Sequence, residues 1–438
     1  MTEILSTALL RRETDFVRVL PPILILALAM ASGFTMMGSF STVQEAAKAE
    51  MGLSDYALSL VQGLSAAIPM VLLSIPIGIA VDRWNRVRML VALAGIWTLG
   101  TLLTAWASGV AMLFVARMLA AIGTTGALTA ALSLSADYCV PALRGRATLT
   151  VTLGKMLGTA AGFALVGWLL GQILGGVAPA WMGSGAPWRG THLALAVVSF
   201  AAILPMLLLR EPERHESTAG PDAPLRELAL ELWARRQFLM PLFAGQVAVV
   251  MADAAAGIWA APVLSRRFGL EPQDFAGWMG LLLLGSGLCG ALLGGFAADW
   301  GYRSERRGGL LVGAIMAAAI SIPAALFPVA ETVPLFAFAL GVLIFAGTIT
   351  GLIVSVALTV LVPNELRGLC IGAFIAVAGL IGFGAAPTLV AAVSSLLGGE
   401  GHLADALAIV GVSVSLVAFF AFRMAMRHAP ADATGKPI

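Results

Sequence analysis

Apolar residues run along this chain in long unbroken stretches, without the alternation of half-buried strands. Twelve stretches come near the ~20 residues that a helix needs to cross the hydrocarbon core of a bilayer. They cover residues 19–43, 56–81, 89–107, 110–136, 147–172, 190–209, 238–264, 277–298, 308–329, 334–361, 369–396 and 404–422. Continuous runs predict helices, because a membrane barrel would alternate lipid-facing and lumen-facing positions. The longest polar interruption, 210–237, holds a Pro- and Gly-containing linker followed by an amphipathic stretch expected on the membrane surface. It divides the chain into a six-helix bundle over 1–209, a cytoplasmic linker over 210–237, and a second six-helix bundle with a cytoplasmic tail over 238–438.

Composition makes lipid the solvent. Of 438 residues only 11% are charged and 59% are hydrophobic, with a mean hydropathy of +0.95. A soluble domain carries about 25% charged residues. The net charge of +2 gives no footprint for nucleic acid. Lys and Arg matter through their placement. With both termini inside, twenty fall in cytoplasmic segments and four outside (Lys48, Arg189, Arg266, Arg267), while Arg117 and Lys155 lie within spans. This five-to-one bias is a strong positive-inside signal. Arg11 and Arg12 precede an apolar run too long for a signal peptide and read as a cytoplasmic anchor. The Ala/Leu/Arg-rich make-up, with three lysines, points to a bacterial inner membrane.

Enzymatic chemistry finds no constellation. Cys139, Cys289 and Cys370 lie far apart, without metal-ligand spacing. His192, His215, His402 and His428 all read as span ends, loops or tail. No GxxxxGK[ST] sequence occurs, so ATP is not the expected energy source, and no cofactor or metal is expected.

The two halves repeat one another. Gly78-Ile-Ala-Val-Asp82-Arg83-Trp-Asn-Arg86-Val-Arg88 follows the second span, and Gly295-Phe-Ala-Ala-Asp299 follows the eighth, at an offset of 217 residues. Gly52-Leu53 and Gly269-Leu270 share that offset. Pro141-Ala-Leu-Arg144-Gly145 matches Pro363-Asn-Glu-Leu-Arg367-Gly368 in the loops after the fourth and tenth spans. Gly154, Gly158 and Gly162, and likewise Gly280, Gly285, Gly287, Gly290 and Gly294, predict close helix packing. The expected fold is therefore all-α and polytopic, with 12 transmembrane helices in two pseudo-symmetric six-helix bundles.

The Gly78-x-x-x-Asp82-Arg83-x-x-Arg86-x-Arg88 pattern resembles the signature of the major facilitator superfamily, and Asp299 resembles its second, degenerate copy. The resemblance covers nearly the whole chain. It implies a carrier whose bundles alternate access to a midplane cavity lined mainly by spans 1, 4, 7 and 10. It also implies a conformational role for Gly78, Asp82, Arg83, Arg86, Asp137, Arg144, Asp299 and Arg367, with Asp82 and Arg83 in a charge lock between bundles. A narrower resemblance links Ala49-Glu50-Met51-Gly52-Leu53-Ser54-Asp55, Ile75-Pro76-Ile77-Gly78 and Arg117-Met118-Leu119 to the spinster-like branch, which includes lysolipid and sphingoid-type lipid exporters. That branch carries an Asp-Arg pair in span 1 and a Glu in span 4; this chain has Met36-Met37 and Thr124 there.

Charges at membrane depth are costly and mark cavities. Arg117 lies about 10 Å below the outer end of its span, Asp253 about 16 Å below the outer end of span 7, and Lys155 about 12 Å above the inner end of span 5. Asp253 is 217 residues from Met36, as if the acid had moved to the other bundle. Asp253 is the expected proton-carrying group, with Arg117 as counter-ion or anion ligand and sodium as the alternative ion. Thr35, Thr124, Thr125, Gln246, Thr348 and Met36 complete the expected substrate and coupling set, although a Thr in a span as often bonds back to its own helix. The expected function is proton-coupled transport of a small organic or amphiphilic, anionic solute by a monomer. A lipid or drug exporter and a non-transporting sensor on the same fold are the alternatives.

Overall fold

A computed structural model describes residues 2–140, 143–179, 182, 185–213, 233–304, 308–362 and 364–430, with side chains described from residue 19 and not at 364–369 or 371. Among these residues there is no strand, and twelve helices are long and apolar enough to cross a membrane. They are α1 (Val19–Met51), α2 (Asp55–Arg83), α3 (Arg86–Ala105), α4 (Val110–Tyr138), α5 (Arg144–Leu174) and α6 (Pro187–Met206). The second six are α7 (Arg236–Phe268), α8 (Pro272–Arg303), α9 (Gly309–Val329), α10 (Val333–Leu361), α11 (Gly372–Leu396) and α12 (Glu400–Arg427). The expected amphipathic stretch falls largely on 214–232, outside the described residues.

Contacts divide the chain into two compact units. The first is Met1–Val43 with Leu72–Thr218, and the second is Gln44–Val71 with Ala219–Ile438. The later cut, between Thr218 and Ala219, falls within 210–237. The segment 44–71, however, groups with the C-terminal helices and not with the rest of residues 1–209. The reason is close polar and backbone contact. Gln44 Nε2 donates to Ile258 O at 2.5 Å, Ser59 Oγ bonds Thr388 Oγ1 at 3.3 Å, and a Cβ at Gly63 would lie 2.7 Å from Phe383 O.

In the first unit, α3 packs on α4 and α6. Glycines permit the approach: a Cβ at Gly100 would lie 2.6 Å from Ala116 O, and one at Gly123 2.5 Å from Leu93 O. The predicted Gly154, Gly158 and Gly162 stripe of α5 faces α1, against Ala27, Ala31 and Gly38. In the second unit, α7 is the most buried helix and packs on α10, α11 and α12. Of the predicted α8 stripe, Gly290 and Gly294 meet α10 at Phe345 O and Ile349, whereas Gly285 meets nothing within 4 Å.

The 217-residue repeat marks matched helix ends. Gly52 (φ +62°) follows α1 and Gly269 (φ +66°) follows α7, both in the left-handed conformation that favours glycine after a helix. Ser54 then caps α2, its Oγ accepting from Ala57 N at 3.1 Å, and Glu271 caps α8 at the equivalent position. Two helices carry π segments, Leu60–Leu64 in α2 and Ala378–Ala385 in α11.

Candidate functional site

In the first unit Arg117, on the second turn of α4, is buried. Its Nη1 donates to Met36 O at 3.1 Å, its Nη2 donates to Met37 O, and the guanidinium lies 5.7 Å from the Phe40 ring centroid. No carboxylate pairs with it among the described residues; backbone carbonyls hold the charge. Met36 O also accepts from Ser39 Oγ at 2.9 Å, and that hydroxyl lies 3.4 Å from His192 Nε2. His192 Nδ1 lies 3.0 Å from Trp188 O, so a neutral ring donates there and leaves Nε2 as an acceptor. Phe40, Trp188 and His192 form an aromatic cluster with centroids 6.0–6.4 Å apart.

This places His192 differently from the sequence reading, which set it at a span end. It is fully buried within α6. The signal was present: Trp188, His192, Leu195 and Ser199 follow helical spacing and are all buried. His402 and His428 do lie at helix ends, and His215 falls outside the described residues.

Several predicted hydroxyls are spent on backbone. Thr124 Oγ1 donates to Gly33 O at 2.9 Å, Thr125 to Ala121 O at 2.7 Å, and Thr35 to Ala31 O at 2.7 Å with Gly158 O 3.1 Å away. Thr348 donates to Ile344 O at 2.9 Å and Thr350 to Gly347 O at 2.8 Å. Lys155 stands apart. Its side chain is exposed on α5, with Nζ 5.2 Å from the Phe34 ring centroid and no ion pair among the described residues.

In the second unit Asp253 lies near the middle of the 33-residue α7. Its carboxylate fills the notch left by Gly347 on α10: a Cβ at Gly347 would lie 2.7 Å from Asp253 Oδ1 and closer still to Oδ2. Asp253 Oδ1 is buried without a hydrogen-bond partner. Two turns away on α7, Gln246 Oε1 is likewise buried and unpartnered, and its Nε2 would lie 3.6 Å from a Cβ at Gly351. Two side chains with an unsatisfied oxygen therefore lie against the glycines of one neighbouring helix. Buried polar atoms are nearly always satisfied, so these two call for an explanation. Arg117 and Asp253 belong to different units.

The residues expected to have a conformational role separate into two groups. Arg86 is buried and bonds Asp137 at 2.5 Å, Glu211 at 2.7 Å and Ser133 Oγ at 3.1 Å, while Glu211 also accepts from Val87 N at 3.0 Å. Arg86 thus ties the start of α3 to the end of α4 through Asp137 and to Glu211, beyond the end of α6. Arg144 Nε donates to Ala136 O at 3.1 Å. Asp82, Arg83 and Asp299 are exposed, with no ion pair among the described residues, and a Cβ at Gly78 would meet nothing within 4 Å. The Arg367 side chain lies outside the described residues. A cavity of about 330 Å³ at this end is lined by Asn85, Arg88, Leu207 and Glu211 among others, and includes none of the predicted substrate residues.

The sequence reading also missed a charged ring at the opposite end of the second unit. It placed Lys48 and Arg266 in outer loops and quoted Asp55 only within a family motif, yet these three converge with Glu45 and Glu400. The available signal was two arginines closing an apolar run whose repeat partner, near Lys48 to Asp55, carries both signs of charge.

Comparison with known proteins fits this architecture. The sequence pattern of the Major Facilitator Superfamily matches residues 24–387. A protein of Cupriavidus pinatubonensis (strain JMP 134 / LMG 1197) named "Probable 4-methylmuconolactone transporter" is 28% identical over 309 residues, which is 67% of this chain. This chain spans 65% of that relative's length. Among solved structures, an inward-facing, unoccupied bacterial homologue of the human lysosomal transporter Spinster superposes with a TM-score of 0.78 at 22% identity, covering 97% of this chain and 99% of that one. A D-xylose–proton symporter superposes with a TM-score of 0.67 at 14% identity, covering 97% and 100%. These likenesses establish the fold.

Proposed function

The chain belongs to the Major Facilitator Superfamily, and from that premise we propose that it is a proton-driven secondary carrier for a small organic or amphiphilic solute, with Asp253 as the group that takes up and releases the proton. The observation that carries this reading is the buried, unpartnered Asp253 Oδ1 in the notch of Gly347. An unpaired carboxylate at membrane depth is costly. A bound proton removes that cost, and water reaching the side chain lets the proton leave. Alternating access supplies both conditions in turn. Sodium fits less well: hard cations gather six or more oxygens, and the unpartnered oxygen of Gln246 stands two helical turns away on α7.

The solute's anionic group falls to Lys155. The Arg117 Nη atoms are engaged with Met36 and Met37 carbonyls, whereas the Lys155 ammonium faces the Phe34 ring and keeps its three donors for a ligand. Gln246 is the corresponding polar contact in the second unit. The relative named for 4-methylmuconolactone makes that compound the first solute to test, with a single-chain lysolipid as the amphiphilic arm. Asp82, Arg83, Arg86, Asp137, Arg144, Asp299 and Arg367 are assigned to inner-side gating, with both termini in the cytoplasm.

The test is uptake into proteoliposomes under an imposed pH gradient. Asp253→Asn is expected to lower gradient-driven uptake at least tenfold while leaving solute exchange at zero gradient within about threefold, a difference of more than about 1.4 kcal/mol in the driven step alone. Driven uptake at the parent rate in Asp253→Asn, or a dependence on sodium in place of protons, refutes the assignment.

A further inference from the structure

The cavity of about 330 Å³ lies within the first unit, between the start of α3 and the end of α6. Asn85, Arg88 and Glu211 give it polar walls, and Val91 and Leu207 stand among its apolar ones. The charge around it is uneven. Glu211 is spent: its Oε1 accepts from Arg86 Nε at 2.7 Å and its Oε2 from Val87 N at 3.0 Å. Asn85 Oδ1 caps α3 by accepting from Arg88 N at 2.8 Å. The Arg88 guanidinium is exposed and has no hydrogen bond or ion pair among the described residues. Five N–H donors in a planar fork are therefore left for a ligand, and the unmatched charge in the cavity is positive.

An apolar track leads into the same cavity. Val197, Phe200 and Leu204 of α6 and Leu207 just past its end follow helical spacing, and each is more than half exposed. On a spanning helix such a stripe is covered by acyl chains. It runs along the helix and ends at Leu207, which lines the cavity. By the charge bias this end lies at the cytoplasmic leaflet, where Trp84, 68% exposed, has the place of an interfacial aromatic. Arg83 and Arg210 are exposed nearby in the chain and add to the positive surface.

We propose that this cavity is a headgroup site for one anionic phospholipid of the inner leaflet: Arg88 takes the phosphate, and an acyl chain follows Leu207, Leu204 and Phe200 toward the bilayer centre. Two features select this ligand over others. A guanidinium with all its donors free suits a phosphate, which it can grip through two parallel N–H bonds. A soluble anion would need Arg88 but not the apolar track, whereas an amphiphile uses both. Basic pockets between spans on the cytoplasmic side are suited to anionic headgroups. Glu211 does not call for a cationic headgroup, because Arg86 and the Val87 amide already hold both of its oxygens. The site is separate from Asp253, Lys155 and Gln246, so it does not depend on which solute or ion is carried. Glu211 shares Arg86 with Asp137, so a lipid seated here adds its contacts to the junction of α3, α4 and α6.

The experiment is native mass spectrometry of the full chain in detergent, titrated with phosphatidylglycerol, with phosphatidylethanolamine and glycerol 3-phosphate as comparison arms. The parent is expected to bind its first phosphatidylglycerol at least fivefold more tightly than phosphatidylethanolamine, and an excess of glycerol 3-phosphate is expected to leave that lipid in place. Arg88→Gln is expected to weaken this first binding step about fivefold, the effect of one arginine at an anionic lipid surface. Val91→Trp fills the cavity without changing charge and is expected to weaken it as well. Arg427→Gln removes an exposed arginine at the end of α12, in the other unit, and is expected to match the parent. Parent affinity in monodisperse Arg88→Gln or Val91→Trp protein overturns the site. So does equal weakening by Arg427→Gln, which would mark general surface charge, equal affinity for the two lipids, or displacement by glycerol 3-phosphate, which would mark a soluble anion.

Discussion

Asp253 owes its position to an atom that is missing from another helix. The offset of 223 residues that aligns Thr125 with Thr348 also aligns Thr124 with Gly347. In the first half, Thr124 occupies the crossing and donates to Gly33 O at 2.9 Å. In the second half there is no side chain at Gly347, and the Asp253 carboxylate fills the space. Met36, the repeat partner of Asp253, offers only its carbonyl, which Arg117 takes. Gly347→Ala is therefore expected to push the carboxylate out of its notch. Overpacking of this kind costs about 1–3 kcal/mol. The measurable outcome is a lowered melting temperature together with at least a tenfold loss of gradient-driven uptake, whereas Gly351→Ala, whose Cβ would stand 3.6 Å from Gln246 Nε2, is expected to stay within about threefold of the parent. Asp253, Arg117 and Lys155 were legible because an ionised residue in an apolar run is conspicuous. Gly347 was not, because one glycine among 49 carries no mark until its neighbour is known.

Several helix crossings in this protein are close approaches at glycine. The stripe of Gly154 and Gly158 on α5 lies against the Ala27 and Ala31 carbonyls of α1, and any Cβ there would collide with backbone that cannot swing aside. Gly158→Val is expected to lower stability by about 1–3 kcal/mol or more, read as a lower melting temperature in detergent and reduced membrane yield. Gly277→Ala on α8, where a Cβ would meet nothing within 4 Å, is expected to leave both unchanged. The stripe of α5 could be foreseen from its four-residue spacing. The stripe of α8 could be foreseen only in part: its spacing could not tell Gly290, pressed on α10, from Gly285, which faces open space. The π segments of α2 and α11 gave no sequence signal at all, since their extra backbone turn is set by what packs across them.

Across the whole chain, the hydropathy runs, the charge bias and the repeat agree on twelve spans, and among the described residues there are twelve helices of suitable length and composition. By the charge bias both ends are expected inside. A reporter that is active only outside the membrane, fused after Arg427, is expected to be silent, and the same reporter fused after Gly269 to be active; the reverse result would invert the orientation. Compactness follows different lines from chain order. Segment 44–71 belongs by sequence to the first two spans and by contact to the second unit. Hydropathy cannot reveal such a regrouping, because it scores each segment against lipid and never against another segment.

The amino-acid order alone settled the solvent, the number of spans, the internal repeat and the depth of three stray charges, since all of these depend on local composition and spacing. Partnership depended on folding. The carbonyls that hold Arg117, the glycine that admits Asp253, and the four charged residues that gather with Arg266 lie some 80 to 350 residues apart in the chain in most cases. Each such contact is decided by which backbones approach within a few ångströms, and that is a property of packed helices and not of any one of them.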